Sequence, residues 1–272
     1  MIFRRQLPLA GLAVLAALVA SLPARGQEAI NFDSALQPSA GATIIRQQLR
    51  YMTAEMPGMN REIEQYRAAT TIVHGLNADF TLMFNAPILF REITDNNTGM
   101  KHRDEGFGDP RVVGKWRLFL KDTGPTDTLR LSLLTGMEVR SGDSDFSSDS
   151  HDPLLGLVFT QSIGRHGINA AGLWKFNTGG GDPDLFRYDA AYVYRLAPEE
   201  FSIGNSTAWF GVLELNGWHE TNGDNELFLS PGVQYVTSRW ALEGTVQIPI
   251  WQDLDARAER DFIVGLSLRL RF

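Results

Sequence analysis

The last twelve residues, DFIVGLSLRLRF at positions 261–272, decide the fold. Large apolar residues at Phe262, Val264, Leu266, Leu268, Leu270 and Phe272 alternate there with Ile263, Gly265, Ser267, Arg269 and Arg271. Successive side chains of a β-strand point to opposite faces, so this period of two predicts a strand with one apolar and one mostly polar face. A soluble edge strand could alternate in this way, but a strand that ends the chain on an aromatic residue resembles the C-terminal signal of outer-membrane barrels.

The same period of two recurs along the rest of the chain and predicts an all-β fold. We expect strands at 43–51, 68–76, 80–90, 109–120, 128–140, 153–163, 166–176, 185–196, 206–216, 226–236, 240–250 and 261–272. Short and long links alternate between them, and an even strand number with alternating faces is typical of a bacterial outer-membrane barrel. We therefore predict a transmembrane antiparallel β-barrel of about 12 strands. The alternative is a soluble β-sandwich or lipocalin-like barrel, with its apolar residues facing inward.

The first residues predict export. Arg4 and Arg5 precede an apolar run at 7–19, and Ala24-Arg25-Gly26 fits a small-x-small cleavage site. We expect a signal peptide at 1–26, cleaved after Gly26, and a single barrel domain at 27–272 in the outer membrane of a Gram-negative bacterium. The alternative is a membrane anchor, but the apolar run is shorter than the roughly 20 residues that span a bilayer as a helix.

Composition narrows the possible functions. The chain has no cysteine, which excludes disulfides and thiolate metal sites. Loss of Arg4, Arg5 and Arg25 would leave 22 basic against 32 acidic residues and change the formal net charge from −7 to −10. Such an acidic chain is a poor candidate for binding nucleic acid. After the signal peptide there is no apolar run of about 18 residues, so a membrane-spanning form must use strands.

The polar faces of the predicted strands give a basic lumen inside an acidic protein. The predicted lumen-lining residues are Arg46, Arg50, Lys115, Arg117, Arg130, Glu138, Arg140, Lys175, Arg187, Asp189, Arg195, Glu214, Glu243, Arg269 and Arg271. A basic wall raises the local concentration of anions, which favours carboxylated or otherwise anionic small solutes. The alternative is a network of paired charges that fills a narrow barrel.

Other chemistry receives little support. Oxygen-rich links at 141–152 and 177–184 could hold calcium, but neither has the EF-hand spacing. The pentapeptide HETNG at 219–223 faintly resembles the His-x-Ser-Asn-Gly signature of outer-membrane phospholipases, yet Thr221 replaces the serine nucleophile. We expect no catalytic residue, no cofactor and no metal site. A lipase-like enzyme and a non-conducting structural barrel remain the alternatives to a channel.

Three passages resemble the outer-membrane family labelled as transporters of the meta-pathway of phenol degradation. They are GFGDP at 106–110 leading into KWRL at 115–118, NELFLSPGVQY at 225–235, and VQIPI at 246–250. The resemblance implies an anchored barrel that takes up hydrophobic or aromatic compounds. Taken with the lumen, it predicts a passive channel for small aromatic, hydrophobic or anionic molecules. The expected partners are outer-membrane lipid and lipopolysaccharide, the solute, and the barrel insertion machinery through Phe272.

Overall fold

The computed structural model describes residues 27–124, 126–179, 181–200, 206–255 and 257–272, so the predicted signal peptide lies outside the described residues. A 3₁₀ turn at Pro57–Met59 follows the first of thirteen strand segments. The segments are β1 (Thr43–Met56), β2 (Arg61–Gly75), β3 (Phe80–Asp95), β4 (Lys101–Phe107), β5 (Arg111–Asp122), β6 (Thr128–Glu138), β7 (Asp152–Ile163), β8 (His166–Lys175), β9 (Leu185–Ala197), β10 (Thr207–Glu220), β11 (Asn225–Thr237), β12 (Trp240–Asp253) and β13 (Glu259–Arg271). No helix within these ranges is long and apolar enough to cross a membrane.

The segments form one closed antiparallel barrel. Consecutive segments pair with each other, apart from β4 and β5, and β1 pairs with β13 to close the barrel. The segments β4 and β5 are two halves of one barrel strand, because β4 pairs with residues 88–94 of β3 and β5 pairs with residues 80–85. The thirteen segments therefore make 12 barrel strands, as the sequence predicted.

Several strands are longer than predicted. β2 begins at Arg61 instead of residue 68, and β3 ends at Asp95 instead of residue 90. These extensions carry exposed charged residues such as Glu62 and Glu64, so the apolar alternation stops before the hydrogen-bonded ladder does. The segment β4 was missed for the same reason, since it reads KHRDEGF with charges on both faces.

The outer face carries an apolar belt. Large apolar side chains are exposed around the barrel; Leu266 is 56% exposed, and Leu157, Leu213 and Ile248 are nearly as exposed.

The inner face of the barrel also carries apolar residues. Apolar residues of β5–β7, including Val113, Leu134 and Val158, form a buried cluster inside the barrel. The inner faces were predicted to be mostly polar, and these apolar residues of the inner side pack against the N-terminal segment, which enters the lumen.

A buried carboxylate holds the longest loop against the wall. Asp109 lies in the break between β4 and β5, where it accepts N–H hydrogen bonds from Ser141 (3.0 Å), Gly142 (2.9 Å) and Ser148 (2.8 Å). Burial raises the pKa of the Asp109 carboxyl, but these hydrogen bonds outweigh it and keep the pKa below its ordinary value. The loop 139–151 is thereby fixed over one end of the barrel, which we call the loop end.

Candidate solute-binding site

The segment 27–39, which we call the plug, occupies the lumen as a hairpin. Its first residue lies at the barrel end where β1 begins and β13 ends, which we call the terminal end. There Gln27 donates to the Gly164 carbonyl. At Asn31 the plug reaches its tip, against residues midway along β1 and β10. It then returns to the terminal end, where Gln37 donates to the Asp79 carbonyl (3.4 Å).

Charged side chains of β10–β13 hold the first limb of the plug. Glu28 forms an ion pair with Arg269, and Gln234 donates to its backbone carbonyl (3.0 Å). The Glu214 carboxylate, fully buried, accepts the N–H groups of Ile30 (2.5 Å) and Asn31 (3.2 Å). A buried carboxylate needs hydrogen-bond donors. The backbone N–H groups of the plug supply them here, whereas water would have to supply them in an empty lumen.

The two limbs of the plug are joined through a buried pair on the opposite wall. Asn169 of β8 donates to the Gln27 carbonyl (3.0 Å) and accepts from the Thr160 hydroxyl (2.7 Å). Thr160 of β7 in turn accepts the N–H of Ala35 (2.9 Å). Lys115 of β5 donates to the Ser34 carbonyl (2.7 Å), so the second limb is held as well as the first.

Arginines hold the tip of the plug. Arg50 of β1 donates to the Asn31 side-chain oxygen (3.1 Å), and Arg187 of β9 donates to the Asn31 backbone carbonyl (2.7 Å). Arg46 donates to the Ile30 carbonyl and forms an ion pair with Glu243 at 2.6 Å. Uncharged backbone and amide oxygens of the plug thus occupy three guanidinium groups.

A cavity of about 520 Å³ remains between the plug and the inner faces of β1–β3, β5–β9 and β13. One part of its wall is apolar and includes Met83, Val113, Leu134, Val158 and Leu173. The charged part is mostly basic and consists of Arg46, Arg50, Arg67, Arg111, Lys115, Arg130, Arg187, Arg239, Arg269 and Arg271, against Glu28, Asp33 and Asp189. The cavity can therefore accommodate a hydrocarbon group and a negative charge together.

The fifteen predicted lumen residues fall into several groups. Eight line this cavity: Arg46, Arg50, Lys115, Arg130, Arg187, Asp189, Arg269 and Arg271. Glu214 and Glu243 are buried where they hold the plug and its arginines, and Glu138 pairs with Lys175 (3.1 Å) and Arg111 (2.6 Å). The lumen therefore contains both a basic cavity and a network of paired charges beside it.

Three predicted lumen residues lie towards the ends of the barrel. Arg117 pairs with the exposed Asp79 in the turn after β2 (2.5 Å), and Arg195 donates to the Glu199 carbonyl after β9. Arg140 lies beyond the end of β6, where its exposed side chain pairs with Asp149 at 3.0 Å. It is not among the residues that line the cavity, because β6 ends two residues earlier than predicted.

Sequence reasoning missed the plug and three arginines of the cavity, which are Arg67, Arg111 and Arg239. Residues 27–39 show neither the period of two of a strand nor the period of 3.6 of a helix. Nothing in this stretch of sequence indicated a segment inside the lumen. Arg67 lies in the part of β2 that was not predicted, directly opposite Arg50 in the β1–β2 register. Alternation continued back from Val73 through Thr71 and Ala69 would have placed Arg67 on the inner face.

The histidine and threonine of the phospholipase-like pentapeptide at 219–223 form hydrogen bonds at the loop end of the barrel. His219 bonds to Asn225 across the turn after β10 (2.9 Å), and the Thr221 hydroxyl accepts the Asp184 N–H (3.0 Å). Within the described ranges, no group of three or more His, Asp or Glu side chains is placed to hold a metal ion.

Comparison with known proteins identifies the family. The model of the family described as the MetA-pathway of phenol degradation matches residues 59–270, which is most of the chain. The chain belongs to this family. The resemblance inferred from the three sequence passages is thus confirmed. No functionally curated protein is significantly similar in sequence to this member.

Solved structures give the fold of this family member. An outer membrane channel from Pseudomonas putida F1 matches with a TM-score of 0.60 at 13% identity, covering 90% of this chain and 100% of that one. The β domain of the Bordetella autotransporter BrkA matches with a TM-score of 0.52 at 10% identity, covering 86% of this chain and 100% of that one. The fold is therefore that of a transmembrane outer-membrane barrel.

The three family passages are parts of the barrel wall. Residues 106–110 span the break between β4 and β5, residues 225–235 belong to β11, and residues 246–250 belong to β12. In the first passage, Asp109 fixes the loop 139–151. In the second, Gly232 lies against Ile30 of the plug. These family motifs therefore build the barrel and fasten what fills it.

Proposed function

We propose that this family member is a passive outer-membrane channel for small organic anions, with the plug as a movable obstruction. Export by a signal peptide cleaved after Gly26 would bring it to the periplasm, and both chain ends would then remain on that side. The apolar belt would face membrane lipid, with lipopolysaccharide around its outer rim. Phe272, 38% exposed at the end of the closing strand, is the group that the insertion machinery would recognise.

The observation that carries this proposal is the cavity beside the plug. Its basic residues favour negatively charged solutes, because a charged wall enclosed by low-dielectric protein concentrates counter-ions. Its apolar wall favours solutes that also carry an aromatic or aliphatic group. Both properties were expected from sequence as alternatives, and the cavity combines them in one place. The outer-membrane channel from Pseudomonas putida F1 supports a channel role by fold alone.

Transport through this barrel requires the plug to move. The plug is hydrogen-bonded to strands on several sides of the barrel, from Lys115 of β5 to Gln234 of β11. The cavity reaches the terminal end, where Arg239 and Phe272 line it, and extends up to the plug tip. Solute flux therefore depends on displacement of the tip towards the terminal end, which is the end where the plug is continuous with β1.

The test is conductance in a planar bilayer, with ion selectivity taken from a salt gradient. We expect rare anion-selective openings from residues 27–272, and frequent ones when residues 27–37 are deleted. A variant with residues 27–37 kept but the exposed tip 97–99 of the loop end replaced by glycine and serine is the control, and should conduct like the parent. Heat-modifiable migration establishes that each barrel is folded.

Two results would contradict the proposal. A folded barrel that never conducts, even without the plug, is a structural barrel. Cation-selective openings in the plug-deleted form would show that the basic wall does not select the solute.

A further inference from the structure

Four arginines face the cavity around the plug tip. We call Arg50, Arg67, Arg111 and Arg187 the arginine cluster. Arg50 and Arg67 stand opposite each other on the paired strands β1 and β2. Arg67 is near enough to Arg111 and Arg187 for their charges to repel its own.

The charges of the arginine cluster are not fully compensated. Arg111 pairs with Glu138 (2.6 Å) and Arg187 with Asp189 (2.8 Å). Arg50 donates to the uncharged Asn31 side chain, and Arg67 forms no hydrogen bond or ion pair with any residue of the described ranges. Within the described ranges, Arg50 and Arg67 therefore have no carboxylate at ion-pair distance, since Glu214 and Glu138 act on them only at longer range. A bound anion is the group that would complete them.

Apolar side chains adjoin the arginine cluster inside the same cavity. Val113 is the next inward residue along β5 from Arg111, and Leu173 of β8 stands opposite Arg187 in the β8–β9 register. A ligand with a carboxylate at the arginines can therefore place a hydrocarbon group against Val113 and Leu173. Planar guanidinium groups suit this role because they bind carboxylates through two parallel hydrogen bonds.

We propose that the arginine cluster binds the carboxylate of a small organic anion and that this binding releases the plug tip. The inference rests on the proposed channel function and adds a ligand class and an opening mechanism to it. A carboxylate forms stronger, charge-assisted hydrogen bonds than the amide and backbone oxygens of Asn31. It therefore displaces Asn31 from Arg50 and Arg187. Because the anion binds the released state more tightly, it shifts the plug equilibrium towards opening.

Binding is tested with benzoate, measured by isothermal titration calorimetry on the refolded protein in detergent. The variant Arg67→Gln removes a charge that makes no hydrogen bond within the described ranges, so the barrel and plug should be retained. We expect it to weaken benzoate binding about tenfold, as loss of one charge-assisted bond does. Arg67→Lys, which keeps the charge, should retain part of the affinity. Benzyl alcohol, which has the ring without the carboxylate, should not bind measurably.

The matched control is Arg117→Gln. It removes the same charge from the same inner face, but Arg117 pairs with Asp79 and does not line the cavity. Benzoate affinity should be unchanged in this variant. Equal affinity in Arg67→Gln and the parent, or equal losses in both variants, would overturn the assignment of the site.

Release of the plug is tested by cysteine labelling. The chain has no cysteine, and Ser34 of the plug is buried, so Ser34→Cys introduces a single protected thiol. We expect benzoate to accelerate maleimide labelling of this thiol several-fold, and the acceleration to disappear when Arg67→Gln is added. Slower or unchanged labelling in saturating benzoate would refute release by the anion.

The two proposals fail in different ways. If the plug-deleted barrel conducts anions but benzoate neither binds the intact protein nor changes labelling, the arginine-cluster inference is wrong and the channel proposal stands. If benzoate binds and releases the plug but no form of the barrel conducts, the channel proposal is wrong.

Discussion

At the scale of single residues, Asp109 is the clearest case of a side chain that organises structure at a distance in sequence. We expect Asp109→Asn to leave the barrel intact and to loosen the loop 139–151, because an amide cannot accept from all the groups that bond to the carboxylate. Loss of hydrogen bonds to a charged group should lower the local opening free energy by about 1–2 kcal/mol. Hydrogen exchange at the N–H groups of Gly142 and Ser148 measures it.

Asp149→Asn is the control for this prediction. Asp149 lies in the same loop, but it is exposed and its ion pair with Arg140 is open to solvent, so its loss should change exchange little. It has a φ of 58°, a conformation that asparagine also tolerates. Equal effects of the two substitutions would mean that Asp109 does not hold the loop.

The same carboxylate makes the loop sensitive to acid. The folded-state pKa of Asp109 is lowered, so its stabilisation is complete above the ordinary aspartate value of about 3.9 and is lost as the pH falls through the lowered folded-state value. Exchange protection of Gly142 and Ser148 in the parent should therefore persist at about pH 5 and disappear towards about pH 2. In Asp109→Asn, this part of the pH dependence should be absent.

At the level of residues, the sequence is informative where the strand alternation is regular. In β9 the period of two placed Arg187 and Asp189 together on the cavity side. It failed for Arg67, because the charged outward residues Glu62 and Glu64 conceal the beginning of β2. The ion pairs could not be predicted, since that of Arg187 with Asp189 depends on rotamers, and that of Arg46 with Glu243 joins strands far apart in sequence.

At the scale of elements, the plug is held by hydrogen bonds to several strands, and some of them are fully buried. Thr160→Val keeps the side-chain shape but removes the acceptor for the Ala35 N–H and the donor to Asn169. An unpaired buried donor costs about 1–3 kcal/mol, so maleimide labelling of Ser34→Cys should become about tenfold faster without any ligand.

Thr81→Val is the matched control for the plug. Thr81 of β3 is as fully buried as Thr160, but its hydroxyl has no hydrogen-bond partner among the residues that the structure describes. The substitution should leave the labelling rate unchanged. Equal acceleration in both variants would show that the plug responds to general loosening of the barrel and not to its link with Thr160.

The elements also show which information the sequence lacks. Each strand carries its own signal because membrane and interior demand opposite faces. The plug has no such signal, since segments such as Glu28 to Asn31 are bonded through backbone groups that every residue possesses. Its place could be found only after the surrounding strands had been assembled.

At the scale of the whole molecule, the apolar belt sets the position of the barrel in a membrane. Leu266→Arg places a charge on the lipid-facing side of the middle of β13, where it should cost about 2–4 kcal/mol. Leu76→Arg, in the turn after β2, makes the same exchange near the membrane surface and should cost about 0–1 kcal/mol. Urea titrations in lipid vesicles measure the free energy of unfolding of both variants and of the parent. Equal losses in the two variants would contradict the position of the belt.

The route of the plug has a consequence for folding kinetics. Its partners lie on β1, β5 and β7 to β13, so its docking surface is complete only once β13 has paired with β1. We therefore expect the complete set of plug contacts to form after barrel closure and to be absent from the transition state of that step. Interactions absent from a transition state act on the unfolding rate alone. The segment that precedes β1 in the chain is thus the last to reach its native place, and we expect its contacts to slow unfolding of the barrel without hastening its assembly.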